Sequence, residues 1–218
     1  MPCGTVPLDR RWRTWAISPS ARIEIGDHHL AIAGLREHIE LQGESPERHG
    51  LIGGRYKRLW RKAREERLAA DDSEPGLIEQ GYLDSAIAQY SRGTELDLNA
   101  YYCPSNLPGL LRARGKRGDE AETAFLDKHI VKACLRNIER GEDDGWAKPT
   151  LLCAAFRAHD VDQVRKLALE VARQGAAVWE LKSTLGDIND AIDSIADAKI
   201  KAALARTRDQ LETLVERA

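Results

Sequence analysis

Apolar residues recur at helical spacing along most of the chain from about residue 27 onward. Between residues 52 and 63, steps of three or four residues connect the apolar positions Ile52, Tyr56, Leu59, Trp60 and Ala63 along one face. This is the period of an amphipathic helix. Clear runs of alternating apolar and polar residues, which would indicate half-buried strands, do not appear. The pattern therefore predicts an all-α protein.

Turn and capping residues divide this pattern into nine predicted helices. Gly43 is expected to end the first, and Ser45-Pro46 supplies an N-cap and a first-turn proline for the second. The polar stretch 71–76 breaks the second helix, and the third is predicted over 81–99. Later helices are expected to end at Gly115, Gly141 and Gly175, where glycine tolerates the left-handed conformation that closes a helix.

The fifth helix is predicted to begin after Asp119, whose side chain would cap it. The residues expected on its apolar face are Ala121, Ala124, Phe125, Ile130, Ala133, Cys134 and Ile138. Asn106 is likewise interpreted as the N-cap of a helix that begins at Leu107, with ligand recognition as an alternative role.

A degenerate repeat is the most informative feature of the chain. The segment PGLLRARGKRGD at 108–119 is echoed by PTLLCAAFRAHD at 149–160, an offset of 149 − 108 = 41 residues. Periods of this length indicate arrays of helix pairs, and antiparallel pairs joined by short turns form an α-solenoid. The predicted organisation is an irregular segment 1–26, a helical repeat domain 27–196 and a C-terminal capping helix 197–218.

The segment GYLDSAIAQYSRGTELDLN at 81–99 resembles the second helix of a tetratricopeptide repeat, with Ala86, Tyr90 and Gly93 at the spacings of that repeat. Ile52, Gly53 and Tyr56 resemble its first-helix Leu-Gly-x-x-Tyr. The resemblance implies a tetratricopeptide-like α-solenoid. The two motifs are farther apart than in the usual repeat, which an insertion around 64–80, most simply a lengthened first helix, explains.

Three longer segments, at 48–60, 96–115 and 144–156, resemble bacterial relatives of the TRAF-binding region of apoptosis signal-regulating kinases. The resemblance implies a regulatory or scaffold module in a stress-signalling or defence system, which recruits a protein partner. The bacterial relatives also suggest recognition of a nucleotide-derived signal. This chain has no kinase motifs: a Gly-rich phosphate loop, H-R-D and D-F-G are all absent from the sequence.

Composition narrows the function. Lys and Arg number 33 against 35 Asp and Glu, a net charge of −2, which argues against a protein that binds nucleic acid or membranes over its whole surface. The four cysteines form no C-x-x-C pair, and no histidine has zinc-ligand spacing, so we expect reduced thiols and no metal. No cofactor motif or catalytic constellation is found. A non-enzymatic, cytoplasmic protein without a membrane segment is expected.

Register with the tetratricopeptide repeat implies a concave groove lined mainly by cations. In such a groove, arginine guanidinium and lysine ammonium groups would bind carboxylates or phosphates, and aromatic side chains would stack on the ligand. The predicted partner-binding or ligand-binding residues are Arg55, Lys57, Arg58, Tyr102, Asn106, Arg112, Lys116, Trp146, Phe156 and Arg157.

Three occupants of this groove remain open. A protein partner is favoured and predicts a broad groove with exposed Trp146 and Phe156. A small nucleotide-like anion predicts a deep basic pocket around Arg58 and Arg112 instead. Nucleic acid is the weaker alternative, because in the basic run 55–67 the aromatic residues fall on the core stripe and leave only the charges for solvent.

An acidic counterpart lies near the C-terminus. Asp187, Asp190, Asp193 and Asp197 recur every three or four residues and so share one helical face. We interpret it as a solvated polar face. Contact with the basic run of a neighbouring molecule, which would give a head-to-tail homodimer, is an alternative.

Overall fold

A computed structural model describes residues 28–142, 144–175 and 177–216 of the chain. Within these ranges the chain forms nine α-helices and no strand, which confirms the all-α prediction. The helices are α1 (His28–Gln42), α2 (Pro46–Ala69), α3 (Leu77–Leu96), α4 (Tyr102–Arg114), α5 (Asp119–Arg140), α6 (Ala147–Arg157), α7 (Val161–Gln174), α8 (Val178–Asp193) and α9 (Ala198–Glu216). The predicted irregular segment 1–26 lies outside the described residues.

Several helix ends lie where the capping residues predict them. Ser45 precedes α2, and its side chain accepts a hydrogen bond of 3.2 Å from the backbone N–H of Arg48. Gly115 and Gly175 follow α4 and α7 with φ of 64° and 71°, in the left-handed region that favours glycine. The expected lengthening of the first repeat helix is also confirmed, since α2 has 24 residues.

The helices pack as consecutive pairs. After α1, which packs against α2, the pairs are α2 with α3, α4 with α5, α6 with α7 and α8 with α9. The first helices of the pairs also contact one another, α2 with α4, α6 with α8 and α4 with α8, and form the inner layer. This is a tetratricopeptide-like helical solenoid. The final helix, α9, closes the array by packing against α7 and α8. Among the helices of the described ranges, none is long and apolar enough to cross a membrane.

Three apolar clusters fill the described part of the array: a small one joins α1 to α2, and the two larger ones meet in α6. One cluster lies among α2 to α6 and includes Tyr90 and Ile130, which are 2% and 0% exposed. The other lies among α6 to α9 and includes Phe156 and Ile188, both 0% exposed. Because α6 contributes to both clusters, the two halves of the chain share one continuous interior.

The structure corrects two predictions for α5. Phe125 is 61% exposed and stacks on the ring of His129 with centroids 6.2 Å apart, while Leu126 and Ile130 are buried. Ala121 and Ala124, at the start of the predicted stripe, are likewise exposed, because the larger Leu126 gains more from burial than an alanine does. The later members Ile130, Ala133 and Cys134 are buried, as predicted.

Asp119 is the first residue of α5, and Gly118, with φ of 96°, takes the N-cap position. The carboxylate of Asp119 turns back instead and accepts hydrogen bonds from Arg114, at 2.6 Å and 2.9 Å, and from the backbone N–H of Lys116 at 2.9 Å. The residue therefore closes the α4–α5 turn, where a charged pair and a backbone bond are both within its reach.

Candidate functional site

The inner layer of the array surrounds a cavity of about 500 Å³ between α2, α3, α4 and α8, with one residue from the end of α6. Trp60, Leu83 and Leu110 form an apolar part of its wall. The cationic residues in the wall are Lys57, Arg64, Arg67, Arg112, Arg114, Lys116 and Arg157. The acidic residues are Glu79, Asp84, Asp187, Asp190 and Asp193. The wall is therefore charged with both signs and has more cations than carboxylates.

A cluster of ion pairs joins α2 to α8 across the inner surface, between residues about 130 positions apart in the chain. Lys57 Nζ binds Asp187 Oδ1, and it also donates to Asn106 Oδ1 at 2.9 Å. Arg61 Nη2 lies 2.7 Å from Asp187 Oδ1 and 2.5 Å from Asp190 Oδ2.

The cluster extends one turn further along both helices. Arg64 Nη1 lies 3.2 Å from Asp190 Oδ1, and its Nη2 lies 3.6 Å from Asp193 Oδ2. A Cβ at position 186 would meet Arg61 Nη1 at 2.8 Å, so the glycine there leaves room for the guanidinium between the helices. We call this set of ion pairs the α2–α8 brace.

The brace corrects the interpretation of the acidic face. Asp187 and Asp190 were expected to be solvated, yet their side chains are only 27% and 19% exposed and accept from α2 of the same chain. The basic face of α2 and the acidic face of α8, which were considered for a head-to-tail homodimer, thus bind each other within one chain. Asp197 has a different role, because its side chain accepts from the backbone N–H groups of Lys199 and Ile200 and caps α9.

The brace also sets the ionisation of its members. The pKa of Asp187 is lowered from its usual 3.8 to about 2, because the charges of Lys57 and Arg61 outweigh the effect of burial, which alone would raise it. Lys57 has 9% of its side chain exposed, and burial lowers its pKa in spite of the attraction of Asp187. Both groups are held ionised by each other in a partly desolvated site.

We expect the stability of the protein to fall as the pH drops from about 4 to about 2. Asp187 has the lower pKa in the folded state, so the unfolded chain takes up its proton first and acid favours unfolding. The shift corresponds to about 2 kcal/mol that is present above pH 4 and lost through this window. Urea unfolding of the wild type and of Asp187→Asn between pH 2 and pH 6 checks this. Equal pH slopes for the two proteins would contradict it.

A second charged group lies at the junction of α4, α5 and α6. Asp127 accepts from Arg112 Nη2 through Oδ2 and from Arg157 Nε through Oδ1, both at 2.8 Å. The Arg157 side chain is only 6% exposed. Its Nη2 is buried without any hydrogen-bond partner in the described residues, a situation that costs about 1–3 kcal/mol for a buried donor.

The remaining cavity cations are paired with carboxylates. Arg67 Nε lies 2.7 Å from Glu79 Oε2, and Lys116 Nζ lies 3.1 Å from Asp84 Oδ2. Arg114 binds Asp119 as described above and also approaches Asp84 at 3.5 Å.

The structure brings five of the predicted site residues to the cavity wall, namely Lys57, Asn106, Arg112, Lys116 and Arg157. Asn106 is not an N-cap, which corrects that interpretation. Helix α4 already begins at Tyr102, and Asn106 donates to the backbone oxygen of that residue at 2.9 Å while accepting from Lys57. Its amide is thus fixed on both sides and holds Lys57 in place.

Arg55, Arg58 and Tyr102 lie away from the cavity. Tyr102 is 44% exposed, and Arg58 is exposed. In the described part of the chain neither arginine has a carboxylate partner. Burial and the charge of Arg58 lower the pKa of Arg55, and burial and both arginine charges lower the pKa of His28.

The two remaining predicted residues are aromatic, and neither lines the cavity. Phe156 is 0% exposed and belongs to the core among α6 to α9, so it is not accessible to a partner. This corrects its prediction as a binding residue. The repeat register placed Phe156 in the groove, but burial of its apolar ring in the core is more favourable. Trp146 is half-buried and packs against Trp179, with ring centroids 5.6 Å apart.

Sequence reasoning missed several residues of the cavity wall and of the ion pairs around it. Arg61 and Arg64 follow Lys57 by four and seven positions and so share its face of α2, a spacing that pointed to them. Arg114 lies two residues after the predicted Arg112 on α4, whereas Arg67 lies near the end of α2, nine residues after Arg58. Asp127 has no local signal, because its position between two arginines from α4 and α6 depends on how the helices pack.

Comparison with known families gives one finding. Residues 6–111 match the model of the family TPR-S, Tetratricopeptide Repeats-Sensor, which spans just under half of the chain and reaches into α4. Neither the curated proteins nor the solved structures contain a significant match to this chain. The helical pairs of the described residues and this match together show a tetratricopeptide-like protein, of the kind that serves as a repeat-based sensor or interaction module.

Proposed function

We propose that this protein is a sensor module that binds a small anionic, nucleotide-like ligand in the cavity of the inner layer. The observation that carries the proposal is the charge of the wall, where seven cations meet five carboxylates around an apolar surface. Its volume of about 500 Å³ is within the range of small-molecule sites, about 300–1,000 Å³. The match to a sensor family supports the same class of function.

The wall offers the two kinds of surface that a nucleotide-like ligand needs. Arginine forks and lysine ammonium groups recognise phosphate or carboxylate oxygens. Leu83, Leu110 and Trp60, which line the cavity, provide an apolar surface for a ring. Gly109, next to Leu110 on α4, also lines the cavity, and a Cβ there would meet no atom within 4 Å, so a ligand can approach the helix backbone closely.

A broad groove for a protein partner has weaker support. Phe156 is buried, so it cannot serve as an exposed anchor for such a partner. One observation favours protein binding elsewhere: Trp179 at the start of α8 is 58% exposed and packs against Trp146. Exposed tryptophans are frequent anchors of protein interfaces, so this pair is the second candidate site. A role in a stress-signalling or defence system rests on the resemblance of 48–60, 96–115 and 144–156 to bacterial relatives of the TRAF-binding region of apoptosis signal-regulating kinases.

Nucleic acid stays the weakest alternative. Lys57, Arg61 and Arg64, three cations of the basic run 55–67, are already bound by carboxylates of α8. Within the same run, Lys62 is paired with Glu66 and Arg67 with Glu79. Arg55 and Arg58 are the two cations of the run without a carboxylate partner in the described residues, which is too few for a long phosphate backbone.

Gly109→Leu is expected to abolish ligand binding while the fold is kept. The leucine side chain would extend into the open space of the cavity, and replacing a helical glycine stabilises a helix by about 0.8–1 kcal/mol. Isothermal titration calorimetry with a probe set of ADP, ATP and cyclic dinucleotides measures binding to the wild type and to the variant. We expect at least one probe to bind the wild type, and Gly109→Leu to weaken it about 100-fold or more.

Gly81→Leu is the matched control. Gly81 is an exposed glycine in α3, outside the cavity wall, and a Cβ there also meets no atom within 4 Å. This variant should bind like the wild type. Absence of binding by every probe, or equal binding by the Gly109→Leu protein, would refute the proposed function.

A further inference from the structure

The excess positive charge of the cavity is concentrated at one place. The cations around the cavity form four groups with their carboxylate partners. In the first, Lys57, Arg61 and Arg64 are paired with Asp187, Asp190 and Asp193. The other groups are Arg67 with Glu79, then Arg114 and Lys116 with Asp84 and Asp119, and finally Arg112 and Arg157 with Asp127. In the first three groups, cations and carboxylates are equal in number. In the last, two guanidinium groups share a single carboxylate, which leaves one positive charge uncompensated.

Hydrogen bonding indicates the same place. Arg157 uses only Nε, which donates to Asp127, and neither of its terminal nitrogens has a hydrogen-bond partner in the described residues. The side chain is 6% exposed, so water satisfies little of this donor capacity. Buried donors of a charged group are rarely left unpaired unless another molecule completes them.

Arg112 presents further donors beside it. Only its Nη2 is bonded, to the same Asp127, and its side chain is 36% exposed in the cavity wall. Because Asp127 holds one nitrogen of each arginine, it fixes both guanidinium planes while their other N–H groups stay available. Two oriented forks of this kind match the oxygens of a phosphate group.

The space next to these forks is open. Gly109 precedes Arg112 by three residues on α4, so both lie on one face of the helix, and the glycine has no side chain to fill the cavity. A phosphate oxygen can therefore approach Arg112 and Arg157 from the cavity. The other cations of the wall would first have to release a carboxylate of their own.

We infer that Arg112 and Arg157, oriented by Asp127, form the oxyanion subsite of the cavity and bind a phosphate group of the ligand. The inference deepens the proposed function and rests on it for the identity of the whole ligand. The remaining part of the ligand extends from this subsite toward the apolar wall at Leu83 and Leu110. Binding is non-covalent, and the phosphate supplies the acceptors that the Arg157 nitrogens lack.

Inorganic pyrophosphate tests the subsite without any assumption about the rest of the ligand. Calorimetric titration of the full-length chain should show binding, and Arg157→Met should weaken it about 30-fold, the effect of losing hydrogen bonds to a charged group. Methionine keeps much of the volume of the buried stem and leaves Asp127 paired with Arg112. Arg136→Met, an exposed change on α5 outside the cavity, is the control and should bind like the wild type.

A second variant covers the case in which Arg157→Met lowers the melting temperature strongly. Arg112→Met changes a more exposed side chain and should also weaken pyrophosphate binding about tenfold. Unchanged pyrophosphate binding by Arg112→Met and Arg157→Met, or no binding by the wild type, would overturn the subsite.

The two proposals fail in different ways. If nucleotides bind the wild type and Gly109→Leu blocks them, but Arg157→Met binds them normally, the sensor function stands and the subsite is wrong. If pyrophosphate binding depends on Arg157 while no nucleotide probe binds, the subsite stands and the nucleotide-like ligand is wrong.

Discussion

Phe156→Ala is expected to lower the free energy of unfolding by about 4 kcal/mol, within the range measured for buried phenylalanines. The ring is 0% exposed and lies in the core formed by α6 to α9, where Val164, Ile188 and Leu204 are also fully buried. Truncation removes the ring from this apolar interior and leaves a cavity that the helices cannot fill completely. Urea unfolding followed by circular dichroism measures the loss.

The comparison with Phe156→Leu separates packing from recognition. Leucine keeps the site apolar and should cost about 1–1.5 kcal/mol. If Phe156 were a partner-contacting residue of the groove, as the repeat register implied, both variants would unfold like the wild type. Stability within 1 kcal/mol of the wild type for Phe156→Ala would thus contradict the structure.

Asp187→Ala should have the next largest effect, a loss of about 3 kcal/mol, the low end of the cost of breaking a buried ion pair. The change leaves Lys57, with 9% of its side chain exposed, bound only to Asn106, and it takes one of two carboxylate partners from Arg61. We choose the low end because Asp187 itself is 27% exposed. Relative to the wild type, amide hydrogen exchange in the Asp187→Ala protein should be accelerated more in α8 than in α5.

Asp193→Ala provides the matched control on the same helix. Its carboxylate is 59% exposed and lies 3.6 Å from Arg64, so its loss should cost no more than about 0.5 kcal/mol. A similar small loss for Asp187→Ala would mean that the α2–α8 brace contributes little to the folded state. High salt should weaken the Asp193 contact more than the Asp187 contact, because solvent screens exposed pairs more strongly.

The local architecture could be predicted from the sequence. Ser45-Pro46, Gly115 and Gly175 mark helix ends by properties of the single residue: a side-chain acceptor, a fixed φ, or freedom to adopt positive φ. These properties act within a few residues of the chain, so they can be read without knowing the fold. The repeat offset then indicated the pairing of the helices and hence the inner layer.

The direction of individual side chains was less predictable. Phe125 was expected inside because it is apolar, yet Leu126 is the buried neighbour. One step along a helix turns a side chain by about 100°, so adjacent apolar residues compete for the core and tertiary packing decides between them. Asn106 was mistaken for an N-cap for a related reason. The local sequence is the same whether the asparagine caps a helix or points its amide toward the interior of the array.

The functional cavity depended on long-range geometry. The basic face of α2 and the acidic face of α8 were each visible in the sequence, but nothing local showed that they meet. The distance between α2 and α8 depends on how far the array curves. The curvature in turn results from the small rotations between successive helix pairs. For the same reason the sharing of Asp127 by Arg112 and Arg157 appeared only in the structure.

The α2–α8 brace changes how the array should respond to shortening. In an open solenoid each repeat touches only its neighbours, so a terminal repeat can be removed and the rest stays folded. Here α8 supplies the counter-charges for Lys57 and Arg61 near the opposite end. Removal of α8 and α9 should therefore also destabilise α2, because Lys57 and Arg61 would lose their carboxylate partners.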